Sequence, residues 1–285
     1  MDICFVVLHY ITIDYTRKCI ESIKKNIDTE LYKIIVVDNA SPNDSIKELI
    51  NMYGKDSKII IKGSEVNLGF AKGNNLGIDI AKEYSPKFIV ALNNDTMLLE
   101  KELCNKLEED FLETNFAVLG PMIYTSDGRC DINPIGTSRR TKEWIDGFLR
   151  HNKRLLFLSM FHLDIIFQKL LRVYYKLRNG NKASKKDFIN KMKNVELHGC
   201  FLVFSELYFK YFDGFEPRTF MYFEEVILYH SLLKNNLISL YDPNIAIYHA
   251  EEASTKVSSA TNCDRRKKRY SYSIDSMELL LKEYI

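Results

Sequence analysis

The apolar run "KFIVALNNDT" ends in three polar residues, Asn93, Asn94 and Asp95. A carboxylate at such a strand end can hold a divalent cation through oxygen. Mg2+ or Mn2+ is usually held by one or two carboxylates together with substrate phosphates. A plain strand-to-helix turn is the other reading. A second acid, Asp38, ends the run "YKIIVVD" and precedes Asn39 and Ser41. It can accept from the N–H of a pyrimidine base, or cap the next helix. The stretch "NLGFAKGNN" brings together Asn67, Gly69, Gly73, Asn74 and Asn75. They read as a turn with exposed N–H groups and amide side chains, suited to close approach by a base or sugar and equally to an ordinary loop.

The elements around these residues decide where they meet. "ICFVVLHY", "YKIIVVDNAS", "SKIIIKG" and "KFIVALNND" are nearly unbroken apolar runs, the pattern of strands buried on both faces. "DYTRKCIESIKKN", "NDSIKELINMYG", "AKGNNLGIDIAKEY" and "EKELCNKLEEDFLE" lie between or after them and read as helices, the second capped by Asn43 or Asp44 and closed by Gly54. Such alternation makes a parallel, doubly wound sheet, which binds ligands at the carboxyl ends of its strands. All three polar clusters sit at or near those ends. The turn after the first strand, "LHYITIDYT", has no glycine, so it is no dinucleotide fingerprint, and no P-loop sequence exists.

Composition narrows the classes. The chain has 285 residues, 46% hydrophobic and 27% charged, with a net charge of +2. That is ordinary for a soluble globular protein and gives no sign of nucleic acid as a partner. The six cysteines form no CxxC pair and none has a His at zinc spacing, so free thiols in a reducing cytoplasm are expected. "MDICFVVLHY" reads as a first strand rather than a signal peptide, and no run is long enough to span a bilayer.

"VVDNASPND", "NLGFAKGNN" and "LNNDT" together resemble the nucleotide-sugar half of family 2 glycosyltransferases, in the rhamnosyltransferase-like branch. The resemblance implies an α/β fold of the GT-A type, a Rossmann-like, mostly parallel sheet flanked by helices, here with a helical insertion and a C-terminal helix. It makes Asn93-Asn94-Asp95 the counterpart of the DxD element, with Asn in the first position and Asp95 the main acidic metal ligand. Tyr10 falls where an aromatic ring lies against the pyrimidine, and Asp38 where a carboxylate reads it. Asn67, Gly69, Gly73, Asn74, Asn93 and Asn94 complete the implied nucleotide site. Further on, Gly199 and Cys200 occupy a small-residue turn over the donor sugar. Glu224-Glu225 stand where the family has an acidic pair opening a helix, usually Glu-Asp with a further acid two residues on; here that position is Ile227. Glu225 is then the base and Glu224 its neighbour. His249 ends a late strand, "ISLYDPNIAIYH", where a histidine often completes the metal site.

The implied activity is inverting, metal-dependent transfer of a sugar from a UDP- or dTDP-sugar to a glycan or lipid-linked acceptor, with Mn2+ or Mg2+ as cofactor, in cell-surface polysaccharide synthesis. Two rivals stand beside it. A sugar-1-phosphate nucleotidyltransferase shares the sheet type but needs a Gly-rich, Arg-containing loop that "HYITIDYT" lacks. A non-catalytic, membrane-associated sugar-binding scaffold of the same fold is kept open by the missing acid at Ile227, while Glu224-Glu225 and His249 speak against it. The resemblance divides the chain into a nucleotide-sugar half (1–125), a basic and apolar, mainly helical insertion (126–193), an acceptor-binding and catalytic half (194–255) and a basic amphipathic tail (256–285).

The insertion matches the family only loosely. Residues 139–193 hold 15 Lys and Arg against four acids, a net +11. "LLFLSMFHLDIIFQKLLRVYYKLR" is apolar and aromatic within that stretch. It suits a helix lying on an anionic membrane surface, at the inner face of a membrane for a cytoplasmic enzyme. It equally suits a hairpin packed on the enzyme's own core or on the partner in a homodimer. The tail adds a basic cluster at Arg265–Arg269 followed by an amphipathic helix.

Overall fold

The computed structural model describes residues 1–179, 189–251 and 261–285. Parts of the expected insertion (180–188) and tail (256–260) lie outside the described residues. Four strands form the parallel half of the sheet: β1 (Ile3–His9), β2 (Tyr32–Asp38), β3 (Ile59–Gly63) and β4 (Phe88–Asn93). Between and after them run α1 (Ile13–Asn26), α2 (Ser45–Tyr53) and α3 (Gly69–Lys82), then β5 (Thr96–Leu98), α4 (Leu103–Thr114) and β6 (Val118–Thr125). The insertion forms α5 (Lys142–Ser159) and α6 (Asp164–Asn179), then β7 (Met192–Lys193). The last elements are β8 (Phe201–Ser205), α7 (Glu224–Lys234), β9 (Ser239–His249) and α8 (Asn262–Glu283).

The sheet runs β3-β2-β1-β4-β8-β6-β9-β5, with β7 beside β9. The first four strands are mutually parallel, with the order reversing between β1 and β4, as in other doubly wound sheets. The rest is mixed. β8 lies antiparallel between β4 and β6, β9 is parallel to β6, and β5 returns antiparallel on β9. Those directions gather the site. The carboxyl ends of β1, β2, β4 and β9 and the start of β8 all fall on one edge.

Side-chain alternation along β1 separates two core layers. Ile3, Phe5 and Val7 pack with α1, α2 and α4 through Ile20, Leu49 and Leu107. Cys4 and Val6 pack on the opposite face with α3 and α7 through Ile78 and Leu232. A third cluster joins Leu149 of α5, Ile227 of α7 and Met277 of α8. Ile227, the position where the family has an acid, is thus fully buried in apolar packing.

Three local expectations differ. The helix expected from Ala71 is present but begins two residues earlier, so Gly69 and Phe70 belong to α3 rather than to a turn ahead of it. Helical glycines are disfavoured by propensity, but this helix lies close against β1 and β2. A Cβ on Gly73 would come within 2.7 Å of Leu8, and one on Gly77 within 2.3 Å of Val6. Asp44 is the N-cap of α2 but makes no side-chain capping bond, and Gly54 stays right-handed at φ −63°. The basic cluster Arg265–Arg269 lies within the first turns of α8 rather than ahead of a separate helix. Arg266 is consumed there, with Nε 2.7 Å from Oδ2 of the buried Asp164 on α6, to which the Tyr270 hydroxyl also donates. The insertion is therefore a helical hairpin seated on α8.

Candidate active site

The strand ends explain the polar runs. β4 stops at Asn93 because the chain must turn into β5, which pairs with β9 so that Thr96 faces His249. Asp95 stands in that corner, its backbone carbonyl accepting from Ala250 N at 3.0 Å. Its Oδ1 lies 3.1 Å from His249 Nε2, joining residues more than 150 positions apart. Both side chains are buried, and His249 Nδ1 has no hydrogen-bond partner.

Asn94 turns inward instead. Its amide donates to Thr12 Oγ1 at 3.0 Å and Thr16 Oγ1 at 2.9 Å. Thr16 Oγ1 also bonds His9 Nδ1 at 2.6 Å, and His9 Nε2 meets Ser45 Oγ at 2.9 Å. A continuous buried network thus ties β4 to the starts of α1 and α2. Asp38 closes this edge: Oδ2 accepts from Ser41 N at 3.2 Å, and Oδ1 is buried without a hydrogen-bond partner, 3.7 Å from His9 Nε2. Tyr10, half-buried, follows His9, which is paired in register with Asp38. The Asp38 carboxylate therefore does form the local turn, while one oxygen stays unspent.

Asn67 and Gly69 build the entry to α3. Asn67 Oδ1 accepts from Gly69 N at 2.9 Å, and Asn39 clamps the same turn through Leu68 N and Gly69 O. Gly69 has φ +76°, and a Cβ there would sit 2.1 Å from Phe220 O. Phe70 N donates to that same carbonyl at 2.8 Å, so the glycine joins the two halves of the molecule. Gly73 and Asn74 are buried packing residues, and the Asn74 amide donates to Phe70 O one turn back.

A cleft of about 380 Å³ opens beside Asn93. His198, Gly199 and Cys200 form one wall, Tyr222 to Glu225 a second, and Phe148, Asn152 and Arg269 a third. Asn93 N donates to Cys200 O at 3.0 Å, which fixes the Gly199–Cys200 turn against the end of β4. The buried Asn133 holds His198 N at 2.9 Å and anchors it to Pro121 O. Glu225 faces this turn: a Cβ at Gly199 would lie 3.8 Å from Glu225 Oε2. Before α7 two bulky residues, Tyr222 and Phe223, hold φ +76° and +68°. Such left-handed backbone costs about 1–3 kcal/mol per residue and clusters at functional sites. Here it aims the start of α7, with both acids, into the cleft.

Burial, reinforced by the charge of Glu225, pushes the Glu224 carboxyl up to about 8. Glu224 Oε1 is buried without a partner. Burial also raises Glu225, outweighing the opposing pull of its backbone N–H, His198 and Arg140. Across the cleft, burial pushes the Cys200 thiol up, yet the imidazoles of His198 and His249 outweigh it, and the thiol falls to about 6. Burial lowers His249, but Cys200 and Asp95 outweigh that and carry it to about 10.

The pair Asp95–His249 suits a hard or borderline divalent cation, offering one carboxylate and one imidazole with a nitrogen left unpartnered. Among the described residues no group of three or more His, Cys, Asp or Glu converges on one point. Substrate phosphate oxygens and water usually supply the remaining ligands of Mg2+ and Mn2+.

Sequence reasoning did not assign roles to His198, Arg269, Phe148 or Asn152. His198 adjoins the Gly199 turn and was legible as a neighbour only. The other three belong to α5 and α8, whose approach to the cleft depends on tertiary packing.

Comparison with known proteins agrees with this architecture. The sequence model of glycosyl transferase family 2 matches residues 4–175, more than half of the chain. An uncharacterized glycosyltransferase of Methanocaldococcus jannaschii is 33% identical over 102 residues, covering 35% of this chain and 33% of that protein. Among solved structures, S. aureus TarS (residues 1–349) aligns with 88% of this chain and 60% of its own, at TM-score 0.55 and 14% identity. GalNAc-T7, solved with UDP, GalNAc and Mn2+, aligns with 95% of this chain and 47% of its own, at TM-score 0.59 and 11% identity. The chain spans less than two thirds of each of these relatives. The structures share the GT-A fold, and with the family match they establish that this chain belongs to glycosyl transferase family 2.

Proposed function

We propose that the chain is an inverting glycosyltransferase that moves a sugar from a UDP- or dTDP-sugar to a hydroxyl of a glycan or lipid-linked acceptor in cell-surface polysaccharide synthesis. The observation that carries the reading is the placing of two groups about one turn: Glu225 on α7 lies against Gly199 in the cleft, and the Asp95–His249 pair lies behind the same turn, with the His249 ring 5.7 Å from that of His198. The two are separated by the Gly199–Cys200 turn, where a donor sugar would lie. Solved relatives of this fold hold UDP, so uridine diphosphate is the first nucleotide to test.

Asp38 Oδ1, buried and unpartnered, can accept from a pyrimidine N–H, and Tyr10, which follows the end of β1, would supply the ring. Asp95 and His249 would hold the cation, Mn2+ or Mg2+; when bound it supplies positive charge to the departing diphosphate. Glu225 takes the proton from the acceptor hydroxyl as that oxygen attacks the anomeric carbon. Glu224, the first residue of α7, instead holds the start of the helix and the acceptor. The proton leaves the acceptor only as the glycosidic bond to the diphosphate breaks, so one displacement inverts the centre.

The test compares Glu225→Gln with Glu224→Gln in a transfer assay at saturating donor. A lost general base lowers kcat by about 10²–10⁴, so Glu225→Gln should fall by that factor with donor affinity unchanged. Glu224→Gln should chiefly raise the acceptor KM. The reverse pattern would exchange the two roles, and two active variants would mean that neither carboxylate is the base. Screening UDP- and dTDP-sugars for protection against thermal unfolding identifies the donor, because a ligand of the native state alone raises its stability.

A further inference from the structure

The α5–α6 hairpin leaves a broad apolar face uncovered. Phe157, Met160 and Phe161 at its tip, and Ile166, Leu170 and Val173 along α6, are each 55–64% exposed. The last three recur at i, i+4 and i+7, so they form one stripe. Asp164 points the other way, fully buried and bonded to Arg266 and Tyr270 of α8. That anchor fixes the hairpin with its apolar stripe turned away from the body of the protein. Exposed apolar surface gathered in one place marks a partner.

Charge identifies the partner. Arg150, Lys169 and Arg172 flank the stripe and tip, exposed and without an ion pair among the described residues. We propose that this hairpin docks on an anionic lipid bilayer, with the tip and the α6 stripe among the acyl chains and the cations at the lipid phosphates. A second copy of the chain fits less well, because residues 139–193 carry a net +11 and would face their own charge across a symmetric contact. A bilayer offers negative charge and an apolar layer side by side.

The placement bears on the cleft. Asn152 of α5 lines it, and Met160 follows eight residues later. At a rise of 1.5 Å per residue, the docked tip lies about 12 Å from the cleft wall. An acceptor carried on a lipid would then be presented at the correct depth; this last step rests on the transferase reading, whereas docking does not.

The test is co-sedimentation of the full chain with vesicles of phosphatidylglycerol and phosphatidylcholine, against pure phosphatidylcholine, at low and high salt. The wild type should bind the anionic vesicles alone and release as salt screens the charge. The exposed double substitutions Ile166→Glu/Leu170→Glu and Lys169→Glu/Arg172→Glu should each weaken binding about tenfold or more, with unchanged melting temperature and unchanged hydrolysis of soluble UDP-sugars. Intact hydrolysis with lost vesicle binding separates this proposal from the transferase reading. Wild type that stays in the supernatant, or full binding by both variants, overturns it. A wild-type dimer that Ile166→Glu/Leu170→Glu dissociates, without vesicle binding, gives the face to a second copy instead.

Discussion

The parallel edge and the acceptor side spend their polar groups differently. At the ends of β1, β2 and β4, buried polar side chains are largely used by one another. His9, Thr16, Ser45 and Asn94 form one connected set of hydrogen bonds and Asn39 is spent on Leu68 N and Gly69 O, with one Asp38 oxygen the exception. Around α7 and the end of β9, the polar atoms are buried and unspent: Glu224 Oε1 and His249 Nδ1 have no partner. Native proteins rarely leave such groups unpaired without a use for them. Backbone strain does not divide the same way: left-handed residues stand at the parallel edge, at Ile11, Ala40 and Gly69, as well as at Tyr222 and Phe223 before α7. One edge is a hydrogen-bonded frame; the other keeps buried polar atoms spare for a ligand.

Removing the unspent Glu224 carboxyl should therefore stabilise the molecule. Glu224 has a folded-state value near 8 against an ordinary 4.5. Between those values the native state binds more protons than the unfolded chain, so stability falls as pH rises through the window and is fully restored below it. Glu224→Gln abolishes that slope. It should raise stability by up to about 3 kcal/mol at pH 7 and leave it unchanged at pH 4, as read by urea unfolding. A wild-type stability that rises between pH 5 and 8, with no slope removed in the variant, would place the strain elsewhere.

Disturbing the frame should do the opposite. Gly69→Ala demands a left-handed alanine and a shift of the Phe220 carbonyl, a loss of about 2–3 kcal/mol. It should also weaken acceptor-side function by moving the loop before α7. Asn94→Ala removes the amide that bridges Thr12 and Thr16, a loss of about 1–2 kcal/mol, with nucleotide affinity falling only through stability. Asn94→Ala that keeps its melting temperature but loses UDP binding would make Asn94 a ligand contact rather than part of the frame.

The frame was the more legible half in the sequence. β1, β2 and β4 are buried on both faces, so Ile3–His9, Tyr32–Asp38 and Phe88–Asn93 appear as continuous apolar runs with polar ends. Glycine misled the reading at the entry to α3, where Asn67 to Asn75 also suited a turn, while the helix itself was legible from Ala71 on. The pairing of Asp95 with His249 was accessible through resemblance alone; its physical cause is the antiparallel return of β5 onto β9. Phe148, Asn152 and Arg269 were beyond reach, since α5 and α8 meet the cleft only through their packing on α7.

The central claim is that the spare groups of the acceptor side and the corner of β4 meet over a metal-bound nucleoside diphosphate. Calorimetric titration of UDP into wild type and Asp95→Asn, each with and without Mn2+, tests it most directly. The substitution keeps the size of the side chain and a partner for His249 while removing the anionic ligand. The account predicts UDP binding by the wild type that requires Mn2+ and weakens about tenfold or more in Asp95→Asn, at unchanged metal-free melting temperature. Equal, Mn2+-supported affinity in both proteins would contradict it.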